Sequence, residues 1–120
     1  MTADVEFAVL HPQDGLTFHT TTADELQSAI VGHIPDKASQ GMGRLRAWFN
    51  DTFTAAMPPN PLAAHVLGAI GYDPNYPWRG TVVITAESIS DDRAGLTADM
   101  HSALEDLAEQ WGPRHPSSDR

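Results

Sequence analysis

The run Thr81-Val82-Val83-Ile84-Thr85 constrains the fold more than any other stretch, because five β-branched residues follow one another without alternation. Side chains branched at Cβ are stiff at χ1 and pack well on a pleated surface. A continuous run of them fits a strand buried on both faces, since a half-exposed strand alternates. Such a strand needs partners, and the N-terminal sequence offers two. Val5, Phe7 and Val9 alternate with Asp4, Glu6 and Ala8, the period of a half-buried strand. Pro12-Gln13-Asp14-Gly15 carries turn chemistry, and Leu16, Phe18 and Thr20 alternate again. Residues 4–10 and 16–20 therefore read as a β-hairpin.

Helix signals punctuate the rest. Thr22-Ala23-Asp24-Glu25 has the capping-box spacing, and Leu26, Ala29 and Ile30 form an apolar stripe, so a helix is expected at 23–31 with Gly32 just past its end. Asn60 is a good N-cap, Pro61 suits the first helical position, and Gly71 can take the left-handed position after the last turn. Between them Leu62, Ala63, Val66, Leu67, Ala69 and Ile70 fill one broad face. Thr97 caps a final helix whose Met100, Leu104, Leu107 and Trp111 keep helical spacing. Ile34 opens a short strand, Gly41-Met42-Gly43 is a turn, 44–50 alternates as a strand, and 53–56 returns as its partner after the Asn50-Asp51 turn.

The order β-β-α-β-β-α-β-α defines an α+β domain: a mainly antiparallel sheet of about five strands with three helices, expected on one face of the sheet. A β-grasp is the topological alternative. The length of 120 residues suits a single domain, taken as 1–111, with 112–120 as a disordered tail of Pro and Ser and no large apolar residue. The absence of cysteine removes disulfides, thiolate metal sites and a thiol nucleophile together. No run approaches a membrane span, and the opening MTADVEF lacks a signal-peptide pattern, so the expected compartment is the cytoplasm.

Charge narrows the function. Seven basic residues against 16 acids give −9, which argues against direct binding to nucleic acid. Residues 1–36 hold six acids and no Lys or Arg, and residues 87–109 hold seven acids, among them Asp91, Asp92, Glu105 and Glu109, against Arg93 alone. Gathered on one face, these acids would attract and steer a basic protein partner; the plain alternative is solubility. Tyr72, Tyr76 and Trp78 lie in a proline-stiffened loop and are candidate contact anchors; the alternative is a loop folded back over the sheet or core.

A small enzyme or ligand-binding domain is the competing class. His33 with Asp36, or His65 with Asp73, would supply an acid–base pair, and His33, Asn50, Asp51 and His65 define a candidate pocket. The structural alternative makes Asn50-Asp51 a turn and Asn60 a helix cap, whose replacement by Ala costs about 1 kcal/mol. His101 and Glu105 stand four apart on one helix, but two ligands do not make a zinc site, so no metal or other cofactor is expected. Gly41-x-Gly43 is too short for a phosphate loop, and no nucleophile elbow is present.

Several segments together resemble a known family. These are Leu26-Gln27, Val31-Gly32-His33-Ile34, Ala47-Trp48-Phe49-Asn50-Asp51, Pro59-Asn60-Pro61-Leu62-Ala63 and Gly80-Thr81-Val82-Val83-Ile84-Thr85. Spread over residues 5–86, they resemble the domain of unknown function 3846, found in small proteins of actinobacteria, their phages and plasmids. Thr52-Phe53 departs from the glycine that the family tends to carry there, and the linker 35–44 and the acidic C-terminal helix have no firm counterpart. The resemblance implies no activity or catalytic residue; it implies an accessory protein of a mobile element or its host. The expectation is a non-enzymatic binding protein, in one form an inhibitor that imitates nucleic acid. Open sheet edges also make a homodimer an expected assembly.

Overall fold

The computed structural model describes residues 4–12, 15–34, 37–50, 57–73, 78–86 and 96–111. The strands are β1 (Asp4–His11), β2 (Gly15–Thr22), β3 (Lys37–Met42), β4 (Leu45–Asn50) and β5 (Val82–Ala86). The helices are α1 (Leu26–His33), α2 (Pro61–Ile70) and α3 (Ala98–Trp111), with a 3-10 turn at Ala23–Glu25 leading into α1. Element order and class are those expected from the sequence. The strands form one antiparallel sheet in the order β2-β1-β5-β4-β3, so the β-branched strand lies at its centre. A β-grasp sheet sets its first and last strands side by side and parallel; here β1 meets β5 antiparallel, which removes that alternative.

All five residues of β5 are buried, and this dictates the layering. Val82 and Ile84 point into one core with Ala8, Leu10, Ala47, Leu62, Ala63, Val66, Leu67 and Leu104. Val83 points into the other with Phe7, Val9, Leu26, Ile30, Ile34 and Trp48. Burying each such aliphatic side chain is worth about 1.5–3 kcal/mol, so neither face of β5 could be left to water. Helices therefore cover both faces, α2 and α3 on one and α1 on the other, which corrects the single-faced arrangement expected from the sequence. For the same reason β1 is not half-buried: residues 7–10 are all enclosed.

Local chemistry explains the element ends. Leu26, Ile30 and Ile34 recur every fourth residue and dock α1. Gly32 lies inside α1, not beyond it; the helix closes at Ile34, whose N–H donates to Ile30 O at 2.8 Å. Thr22 Oγ1 donates to the Glu25 carboxylate at 3.1 Å, so the expected capping box forms a side-chain pair and no side-chain cap at Glu25. The strand beside β4 precedes it: β3 pairs along its whole length with β4 across a two-residue turn in which Gly43 takes φ +62°. The expected strand at 53–56 lies outside the described residues, as does the expected tail at 112–120. Around α2 the expectation is met: Asn60 caps it, Pro61 opens it, and Gly71 follows it at φ 133°. In α3, Met100 N–H donates to Thr97 Oγ1 at 3.2 Å.

Candidate functional site

The residues expected to form a contact loop do not stand outside. Tyr72 is 4% and Trp78 5% exposed, and both belong to the core beneath α2. The Trp78 ring meets Phe49 edge-on at 5.2 Å and Tyr72 at 6.2 Å. The Tyr72 hydroxyl accepts from Ala47 N–H at 3.2 Å and donates to the Gln40 carbonyl, two register partners across β4 and β3. Tyr72 and Trp78 thus turn inward over the sheet, and their burial excludes the anchor role expected of them. Tyr76 lies outside the described residues.

The candidate pocket also comes apart. His33 ends α1 on one side of the sheet, whereas His65 rides on α2 on the other. Asn50 closes β4, two strands away from β1, near Gly80: a Cβ placed on Gly80 would lie 3.4 Å from Asn50 Nδ2. Asp51 and Asp36 lie outside the described residues, and Asp73 is exposed.

Asn60 has a larger structural role than a cap. It is 1% exposed; its Oδ1 accepts from Ala63 N–H at 3.0 Å, and its Nδ2 donates to Leu10 O at 3.0 Å and Gly80 O at 2.8 Å. Around it, Asn60 N–H donates to Trp78 O and Gly80 N–H to Pro58 O, each at 2.9 Å, on either side of a Pro59–Arg79 bridge. Arg79 also donates to Met57 O at 2.8 Å. This node ties α2 to β1 and to the chain entering β5.

Two histidine constellations lie on opposite faces of the sheet. Toward α3, His101 Nδ1 is 2.7 Å from Glu6 Oε1, its Nε2 is 3.7 Å from Glu105, and its ring stacks on Phe18 at 3.7 Å. The hydrogen bond to Glu6 raises the His101 pKa above the ordinary imidazole value; desolvation opposes this, and the charges of Glu6 and Glu105 add to it. Protonated, His101 clamps α3 to β1. It also brings one N-terminal and one C-terminal acid to a single place, while Asp24 and Glu25 stand exposed before α1.

Toward α1, His11 Nε2 lies 3.0 Å and His19 Nε2 2.9 Å from the same Thr17 Oγ1. The His33 ring sits 5.3 Å from the His19 ring, and Phe7 stacks on His19 at 5.5 Å while meeting His33 at 6.0 Å. Burial lowers the His33 pKa, and the neighbouring His19 and His11 lower it further. The grouping of His11, Thr17 and His19 was missed from sequence, although the hairpin register holds the signal: Phe7 faces His19 and His11 faces Gly15, so these odd-numbered residues share one face.

The outward side of α3 carries Asp99, Glu105, Asp106 and Glu109, all exposed, while Leu104, Leu107 and Ala108 pack inward. Asp91 and Asp92 lie outside the described residues. Among the described residues no three His, Asp or Glu side chains are placed to hold a metal ion, and no helix is long and apolar enough to cross a membrane. No family model, curated protein or solved structure matches this chain.

Proposed function

We propose that this chain is a non-enzymatic accessory protein that binds a basic protein partner through the outward face of α3. The observation that carries the reading is the placement of acid within that helix. Asp99, in the first turn, suits the positive end of the helix dipole. Glu109 stands in the last turn, with Asp106 just before it, toward the end where negative charge is unfavourable, and that turn has no basic residue; Glu105 lies mid-helix beside His101. Glu109 also repels Glu105 at i,i+4 and Asp106 at i,i+3, each pair costing roughly 0.2–0.5 kcal/mol. Solubility needs charge but not charge arranged against its own helix; a basic partner would offset that cost. In its finer form, the acids stand where a target expects phosphates. The resemblance to the domain of unknown function 3846 adds a phage, plasmid or actinobacterial setting. The β2 and β3 edges supply a surface for a homodimer.

Affinity capture at low ionic strength with the wild type and an Asp106→Asn/Glu109→Gln variant tests this. A species held by the wild type, released by salt and not held by a folded variant supports the reading. Equal retention by both proteins, or no retained species, contradicts it.

A further inference from the structure

We propose that His11, Thr17, His19 and His33 form a site for a small oxyanion, bound together with protons. Hydrogen-bond supply decides what the cluster can hold. A threonine hydroxyl has one proton and two lone pairs. It stands between two ring nitrogens at 3.0 and 2.9 Å, so it donates to at most one ring and the other ring must donate to it. When both rings are protonated, both donate to Thr17 and its own hydrogen is released to point elsewhere. The cluster then offers that hydroxyl hydrogen and the imidazolium N–H groups, donors in excess of acceptors. The complement of such a set is an acceptor-only anion, which also offsets three like charges brought close together.

The surroundings provide no competing carboxylate among the described residues. On β1, Asp4 and Glu6 alternate onto the α3 side of the sheet, away from Phe7 and His11. β2 has the sequence GLTFHTTT and α1 the sequence LQSAIVGH, neither with an acid. Before α1, Asp24 and Glu25 are exposed, and Glu25 is engaged by Thr22. On the same face β5 offers Val83 and Thr85, and β4 offers Trp48 and Arg46, whose guanidinium donates to Ser39 at 2.8 Å. The acids of α3 lie across the sheet. All three imidazoles are half-buried, open enough for a solute and enclosed enough for their charges to interact. The floor is the Phe7 ring.

Sulfate is the probe, because its charge does not change between pH 5 and 8 and any pH dependence belongs to the protein. Histidine ring resonances of the whole chain are titrated in sulfate and in chloride at equal ionic strength. Midpoints of His11, His19 and His33 should rise in sulfate, while those of His65 and His101 stay in place. Sulfate affinity should increase by up to about tenfold for each unit the pH falls, per proton taken up. Thr17→Val and His33→Gln should each abolish the sulfate-specific shift while leaving the His101 titration unchanged. Equal shifts at the three cluster rings and at His65 and His101, or none at the cluster, overturn the proposal on the wild type alone, whatever the stability of the variants.

Discussion

Asn60→Asp separates a helix cap from a structural node. Aspartate is as good a cap as asparagine, because its oxygen still accepts from Ala63 N–H. If capping were the whole role, the substitution would cost nearly nothing and Asn60→Ala about 1 kcal/mol. The geometry demands otherwise. Both Nδ2 hydrogens are used, one on Leu10 O and one on Gly80 O, in a site 1% exposed. Losing the donor costs each buried carbonyl about 1–2 kcal/mol, so Asn60→Ala, with the cap also lost, should cost about 3–5 kcal/mol in all. Asn60→Asp keeps the cap but sets a carboxylate against both carbonyl oxygens, and at neutral pH should cost at least about 3 kcal/mol. That is a large share of the roughly 5–15 kcal/mol by which a domain of this size is stable. Burial against acceptors raises the folded-state pKa of the new acid above its unfolded value of about 3.9. The folded form then binds protons more readily, so the deficit shrinks as pH falls from neutral toward 4. Urea unfolding followed by tryptophan fluorescence at several pH values reads both effects. An Asn60→Asp protein within about 0.5 kcal/mol of wild type at pH 7 would refute the node.

Tyr72→Phe should destabilise by about 1–3 kcal/mol in urea unfolding, because its hydroxyl serves buried backbone groups of β3 and β4; an exposed ring would show no effect. The two histidine sites should tilt stability in opposite directions. His33, with its pKa lowered by burial, contributes stability above about pH 6.5 that is lost as pH falls toward its folded midpoint. His101, raised first by its hydrogen bond to Glu6, contributes stability below about pH 6.5 that is lost as pH rises through its folded midpoint. Stability–pH curves should therefore become shallower on the acid side of about pH 6.5 in His33→Gln and on the alkaline side in His101→Gln. Asp106→Asn/Glu109→Gln should match or exceed the wild-type Tm, since it removes like-charge pairs from α3.

Local signals were legible where one residue's chemistry decides an element. The β-branched run marked β5, and Asn60-Pro61 with Gly71 marked both ends of α2. The doubly buried character of β5 already implied cover on both faces, yet β1 looked half-exposed because Ala8 sits among acids and reads as outward. Strand β3, KASQGM, shows no alternation; as an edge strand it needs only its pairing to β4, so it was invisible to periodicity. Tyr72 and Trp78 are held inward by tertiary contacts with Ala47 and Phe49, which no local pattern announces. The histidine cluster needed two facts at once: the hairpin register and the face on which α1 docks. Sequence alone supplied the first weakly and the second not at all.

Hydrogen exchange on the chain with its captured partner tests the central claim most directly. Partner-dependent protection is expected over α3, residues 98–110, with little change along β3 and around His65. Protection centred on β3 or α1, with α3 unchanged, would contradict it.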